Sequence, residues 1–231
     1  MENIVLDQTS DQPDQDLSAI VGEIAAEGLQ KQSFHRLSYE AYSAVNGSDK
    51  LRSLVSDWGV VAGSIPSTAD AGAILGYFQM ILGDLDAAQA TLESNSGSDW
   101  GSYWLCRVLL EKKMPAEALA IAKKFQGGSP ASVDFAYLAV EALLQSGSID
   151  EARSILDSLK TGQSESSQFA YASGLCSEKD GDYREAIDSY HRATSLDEEN
   201  YDAYFRLGYL LGFHATEEEE QSGLSLEYYE K

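Results

Sequence analysis

With 231 residues, 43% of them apolar, the chain has enough material to bury a core, which excludes an intrinsically disordered protein. Thirty-eight acidic residues against sixteen basic ones give a formal net charge of −22, so direct binding to nucleic acid or to an anionic membrane is not expected. We interpret the acidic excess as a solvated outer face, or else as attraction for a basic partner.

The first residues lack the pattern of a secretory signal. Residues 1–15 carry acids where a signal needs a basic start followed by an apolar run, and they are predicted to form a flexible acidic arm. No later window approaches the roughly 18 uncharged apolar residues of a membrane span. Cytoplasmic residence is therefore the expectation.

Residues 16–65 are predicted to form degenerate helices that cap a larger array. Apolar side chains recur at helical spacing within residues 17–29, 34–45 and 51–58. Asn46 and Gly47 are expected to end the second of these helices, because both tolerate the left-handed backbone that commonly follows a helix. A Gly-Ser-Ile-Pro turn at residues 63–66 closes the segment.

Beyond residue 66 the sequence repeats itself. Ala186 lies five residues after the turn glycine Gly181 and four before Tyr190. Steps of 34, 34 and then thirty residues towards the N-terminus give the same arrangement, at Ala152 with Gly147 and Leu156, at Ala118 with Ala122, and at Ala88 with Gly83 and Leu92. This spacing predicts repeated helix pairs in which small residues let two helices pack closely.

The pattern resembles the tetratricopeptide repeat, a pair of antiparallel helices of about 34 residues. The resemblance implies an all-α fold, a right-handed solenoid of about five to six helix pairs, with residues 66–231 forming the array. The sequence departs from the motif at Lys113 and Pro115, which replace the turn glycine and an aromatic residue. The closing proline of the motif survives only as Pro130.

Capping signals agree with this register. Ser148 with Glu151, and Asp182 with Glu185, have the spacing of a capping box at the start of a second helix. Ser129 before Pro130 predicts a further helix start, at the beginning of a first helix.

The last predicted helix, residues 201–213, lacks a complete partner helix. Four glutamates at residues 217–220 follow it, and residues 224–231 end before the partner's later packing positions. We expect the array to be truncated here as a fragment of a longer protein, in preference to a frayed last helix.

The first helices of the array carry an aromatic side chain every 34 residues, at Tyr103, Tyr137, Tyr171 and Phe205. The family resemblance implies that first helices line a concave groove and that these columns contact bound peptides, here with Trp100, Trp104, Arg107, Leu138, Arg206 and Tyr209. Tyr and Trp suit this role because each offers a large rigid surface with a hydrogen-bonding tip. The alternative is that the same rings only pack between neighbouring first helices.

Family members that grip a terminal carboxylate use Lys, Asn and Arg in these columns, whereas only Arg107 and Arg206 are basic here. The expected ligand is therefore an extended or helical apolar segment of a partner protein. The protein's own amino-terminal helices are the simplest alternative occupant of the groove.

The sequence holds no pattern for catalysis. The three histidines, His35, His191 and His214, have no metal-ligand partners at suitable spacing. Cys106 and Cys176 lie seventy residues apart within helical patterns and are predicted to be core thiols in a reducing compartment. We expect no enzyme, no metal and no cofactor.

Three functions remain open. The first is a scaffold or adaptor that holds a segment of a partner protein. The second makes the chain the regulatory or targeting part of a larger protein whose active part lies beyond residue 231. The third is self-association through the ends of the solenoid, where an apolar face would be exposed.

Overall fold

The computed structural model describes residues 17–43, 46–95, 97–125 and 132–214. Every regular element in these ranges is helical, which confirms the all-α prediction. In chain order the α-helices are α1 (Leu17–Glu27), α2 (Lys31–Ser43), α3 (Gly47–Ser56), α4 (Trp58–Ala62), α5 (Thr68–Ile81), α6 (Leu85–Ser94), α7 (Asp99–Glu111), α8 (Pro115–Ala122), α9 (Ser132–Gln145), α10 (Ile149–Gln163), α11 (Ser167–Asp180), α12 (Tyr183–Leu196) and α13 (Tyr201–His214). A 3-10 turn, Lys123–Phe125, extends α8.

Some predictions fall on residues that the structure does not describe. These are the acidic arm at residues 1–15, the helix start at Ser129 and Pro130, and the glutamates and final segment within residues 215–231.

The described residues form two compact units that divide between Leu105 and Cys106, within α7. We call them the N-terminal unit and the C-terminal unit. The domain boundary predicted at residues 65 and 66 lies inside the N-terminal unit, in the turn between α4 and α5, and it stays a prediction.

The N-terminal unit has one apolar core, to which α1, α2, α3 and α5 contribute residues exposed by 2% or less, namely Val21, Ile24, Phe34, Leu37, Leu51, Ile74 and Phe78. The turn from α2 to α3 is tight. Asn46 is left-handed, with φ of 59°. A side chain at Gly47 would place its first carbon 1.9 Å from the carbonyl oxygen of Ala41. The predicted end of α2 before Asn46 and Gly47 is confirmed, and only glycine fits at residue 47.

The C-terminal unit repeats one packing arrangement. Ala118, Ala152 and Ala186 stand at the same position of α8, α10 and α12, and each is at most 1% exposed. On α11 the small residue is Gly174, above which the ring of Tyr190 lies fully buried. Residues without a large side chain thus allow the two helices of a pair to approach closely.

The turn inside each pair also repeats. The amide of residue 114, 148 or 182 donates to the carbonyl of Leu109, Leu143 or Ser177 over 2.8–2.9 Å, which closes the first helix. The residue just before that amide is left-handed in all three turns, with φ of 59° at Lys113, 78° at Gly147 and 83° at Gly181. Lys113 therefore adopts the backbone of the missing glycine.

The two predicted capping boxes differ in the structure. The Asp182 carboxylate accepts from the amide of Glu185 over 3.2 Å, as expected of an N-cap. Ser148 makes no side-chain cap, so this part of the prediction is wrong. Its amide instead takes part in the turn described above, bonding to Leu143.

Replacing Gly174 by alanine should destabilise the protein. The added carbon would lie 2.6 Å from the Tyr190 ring, and the overpacking cost of about 1–3 kcal/mol exceeds the roughly 0.5–1 kcal/mol that alanine gains in a helix. The matched control is Gly162→Ala in α10, where the added carbon meets nothing within 4 Å. Urea unfolding should show a lower midpoint for Gly174→Ala and an equal or higher midpoint for Gly162→Ala. Equal midpoints for the two variants would contradict close packing at Gly174.

Lys113→Gly should stabilise the protein. The change removes a left-handed strain of about 1–2 kcal/mol, and glycine's greater freedom in the unfolded chain returns roughly 0.4–1 kcal/mol of that gain. We expect a rise in Tm of about 1–4 °C by calorimetry. The reciprocal change Gly147→Lys, at the equivalent turn, should lower Tm, because only the backbone conformation opposes a side chain there. A fall in Tm for Lys113→Gly would be inconsistent with this account.

Candidate functional site

The ten residues predicted to contact a ligand all lie on first helices, three of them in the N-terminal unit and seven in the C-terminal unit. Within the predicted aromatic column, exposure differs from ring to ring. Tyr103 and Tyr137 are buried, with 9% and 8% of their surface exposed. Tyr171 is half-buried, and Phe205 is 60% exposed. The column is thus regular in sequence but not in accessibility.

In the N-terminal unit, Trp100, Tyr103 and Trp104 belong to an aromatic cluster on α7. The Tyr103 ring lies 5.5 Å from that of Trp100 and 5.1 Å from that of Trp104, both edge-on. Trp104 also lies 4.4 Å from Tyr77 of α5 and 5.0 Å from Phe34 of α2. A side chain of α2 therefore occupies the space beside two of the predicted ligand contacts.

In the C-terminal unit, Tyr137 and Leu138 of α9 lie mainly in the core. Leu138 is 3% exposed. The Tyr137 hydroxyl is 3.3 Å from that of Ser166, and burial raises the pKa of Tyr137 more than this hydrogen bond lowers it. Both residues support the surface formed by the neighbouring first helices.

Tyr171 of α11 lies at the centre of a set of charged side chains. Its ring packs 5.7 Å from that of Tyr190. Burial raises the pKa of Tyr171, and the carboxylates of Asp202 and Glu141 raise it further, while Arg206 and Arg107 act in the opposite direction. These four charged groups come from α7, α9 and α13, so Tyr171 marks a place where several first helices meet.

Both predicted arginines are already paired with glutamates. Arg107 of α7 donates to both carboxylate oxygens of Glu141, over 3.3 and 3.2 Å. Burial raises the pKa of Glu141, and Arg107 offsets part of that effect. Arg206 of α13 donates to Glu178 of α11 over 3.0 Å.

Glu178 joins three helices. One of its carboxylate oxygens accepts from Arg206, and the other accepts from the Tyr190 hydroxyl of α12 over 2.7 Å. The Glu178 side chain is 16% exposed, whereas that of Arg206 is 39% exposed. This pair holds the Arg206 guanidinium at the edge of the surface.

Sequence analysis missed Glu141, Glu178 and Asp202. Glu141 stands 34 residues after Arg107, so the two partners occupy one column of successive repeats, and a search of that column for opposite charges would have found them. The contact between Glu178 and Arg206 spans 28 residues and matches no column, so the repeat itself gives no signal for it.

The exposed aromatic residues lie on α13. Tyr201, Phe205 and Tyr209 are spaced by four residues and are 64%, 60% and 42% exposed. Residues at this spacing share one side of a helix. We call Arg107, Tyr171, Phe205, Arg206 and Tyr209 the first-helix surface.

The remaining side chains with reactive or ligating atoms give no second site. Cys106 and Cys176 are buried free thiols, as predicted, and burial raises their pKa values to about 12 and about 11. Within the ranges that the structure describes, no three His, Cys, Asp or Glu side chains are grouped so that they could hold a metal ion. No helix in those ranges is long and apolar enough to span a membrane.

Two stretches of the chain match known repeat families: residues 109–173 match the family described as Tetratricopeptide repeat, and residues 179–212 match the one described as TPR repeat. No curated protein matches the chain.

Three solved structures share the fold. A thermophilic TPR protein from Thermus thermophilus aligns with a TM-score of 0.60 and 20% identity, over 71% of this chain and 92% of that one. A tetratricopeptide repeat protein from Parabacteroides merdae aligns with a TM-score of 0.55 and 15% identity, over 86% and 78% of the two chains. The APC/C hetero-tetramer Cut9-Hcn1 aligns with a TM-score of 0.61 and 13% identity, over 90% of this chain and 42% of that one. Likeness at such low identity concerns the fold alone.

Glu178→Gln should destabilise the protein by about 1–2 kcal/mol, because a shielded carboxylate that accepts from both Tyr190 and Arg206 loses its charge. Glu165→Gln is the matched control, since the Glu165 side chain is 81% exposed and pairs only at the surface with Arg192. That change should alter the free energy of unfolding by less than about 0.5 kcal/mol. Urea titrations of both variants measure the difference, and equal losses would show that burial of Glu178 has no effect.

Proposed function

We propose that this chain, which belongs to the tetratricopeptide repeat family, is an interaction scaffold that binds a segment of a partner protein on its first-helix surface. Repeats of this family support a protein-interaction role in general. The finer proposal, a specific surface on the C-terminal unit, rests on the side chains of that unit.

The exposure of large rings on α13 is the observation that carries the proposal. Phe205 and Tyr209 are 60% and 42% exposed and flank Arg206 in sequence. Rings of this size that remain in contact with water gain free energy when a partner covers them. Half-buried Tyr171, packed on Tyr190, provides a rigid surface near the same arginine.

Pairing of the two arginines argues against a free carboxylate as the ligand. Arg107 and Arg206 each donate to a glutamate, so a ligand carboxylate would have to displace Glu141 or Glu178 from its partner. Leaving a shielded glutamate without its partner is costly. A segment that meets the surface with apolar side chains avoids that cost.

The charge of the chain favours a partner segment with basic residues. The formal net charge is −22, and Asp202 adds an exposed carboxylate on α13 beside the arginine pair. Opposite charge accelerates association and suppresses wrong partners more than it adds affinity. The proposed ligand therefore combines apolar anchors with flanking Lys or Arg.

The double variant Phe205→Ala/Tyr209→Ala should lose its partner while keeping its fold. Loss of two aromatic anchors is expected to reduce partner recovery at least about tenfold, whereas changes at exposed sites alter stability by roughly 0.5 kcal/mol or less. The measurement is quantitative mass spectrometry of proteins that co-purify with the tagged chain, together with circular dichroism.

Tyr183→Ala is the matched control for this experiment, because Tyr183 is 38% exposed but lies on α12, a second helix. A genuine partner is retained by Tyr183→Ala and lost by the double variant. Proteins recovered equally by the wild type and both variants would contradict a binding role for these rings.

A further inference from the structure

We propose that the aromatic face formed by α5 and α7 in the N-terminal unit is a helix-binding site, and that its resident ligand is the chain's own helix α2. The inference concerns residues 17–105 only, and it does not rest on the function proposed for the first-helix surface.

The position of α2 is unusual for a stack of helix pairs. In such a stack, each pair contacts only its neighbours. Phe34 of α2 instead reaches α5, where its ring lies 5.2 Å from that of Tyr77, and also α7, where it lies 5.5 Å from Trp100 and 5.0 Å from Trp104. Because α5 and α7 are first helices of successive pairs, α2 lies across the first-helix side rather than within the stack.

The contact has the features of ligand recognition in a groove. Phe34, Leu37 and Ala41 form one apolar stripe on α2, and each is at most 1% exposed. A helix bound in a groove uses this kind of spacing for its anchors. Phe34 is the central anchor, because rings of Tyr77, Trp100 and Trp104 surround it.

Polar tips of the same rings fix the register of α2. The Trp100 indole N–H donates to the carbonyl of Leu29 over 2.9 Å, and the Tyr77 hydroxyl donates to the carbonyl of Phe34 over 3.1 Å. The Tyr77 hydroxyl also bonds to that of Ser38. Both carbonyl contacts are made to the backbone, so any helix with suitable apolar anchors could accept them.

The pocket retains one donor that α2 does not use. The indole N–H of Trp104 is buried and has no acceptor among the residues that the structure describes. A competing helix that carries a hydroxyl or amide oxygen at the facing position would gain a hydrogen bond that α2 lacks.

The outward side of α2 has the charge expected of a ligand for this acidic chain. Lys31 and Arg36 against Glu40 give α2 a net charge of +1, whereas the whole chain carries −22. Tyr39 is 71% exposed and makes α2 aromatic on its solvent side as well. Covalent tethering keeps α2 at a high effective concentration, so an external helix can bind only when α2 leaves.

A synthetic peptide of residues 28–43 tests the proposal in trans. We expect the labelled peptide to show no binding to the wild-type chain and micromolar binding to full-length Phe34→Ala, in which the resident helix has lost its anchor. A peptide that itself carries Phe34→Ala should bind at least about tenfold more weakly, as loss of a central aromatic anchor implies, and a Tyr39→Ala peptide should bind as well as the parent peptide. Absence of binding to a folded Phe34→Ala chain, or equal binding of the three peptides, would overturn the proposal.

Amide hydrogen exchange of the wild-type chain decides the case in which Phe34→Ala does not fold. If α2 is a ligand, its amides exchange through an opening that leaves α5 and α7 protected. Exchange of α2 only together with α5, in one cooperative unfolding event, would show that α2 is an inseparable part of the core and would refute the inference.

Discussion

Close approach of the two helices in a pair is the constraint on which the C-terminal unit depends. Gly174 has no side chain, so the Tyr190 ring packs directly against α11. In that position the Tyr190 hydroxyl reaches Glu178, and Glu178 in turn holds Arg206 of the next helix. A single small residue thus determines where a charged group stands on the surface, through two intervening side chains.

The sequence predicted the elements set by this constraint better than those set by distant contacts. Ala118, Ala152 and Ala186 are recognisable because close packing demands a small residue at a fixed interval. The place of α2 could not be read in the same way, because any core accepts the apolar stripe of Phe34 and Leu37, and only folding brings Trp100 and Trp104 beside it. Whether the ten candidate residues contact a ligand stays a prediction, since their exposures range from 3% at Leu138 to 60% at Phe205.

The two units present their aromatic residues in different ways. In the N-terminal unit Phe34 fills the space between the rings of α5 and α7, so that face is already covered. On α13 of the C-terminal unit, the rings of Phe205 and Tyr209 remain largely in contact with solvent. The same residue types on first helices therefore serve cohesion in one unit and are available to a partner in the other.

The bond between Arg107 and Glu141 limits how such a chain can change its length. The two side chains occupy equivalent positions of adjacent repeats, so a tandem duplication of the Arg107 repeat would set arginine against arginine, and deletion of the Glu141 repeat would set arginine against Leu175. Either rearrangement leaves a shielded cation without its counter-charge. The repeats share an ancestral frame, yet they are no longer interchangeable modules: their order is written into their charges.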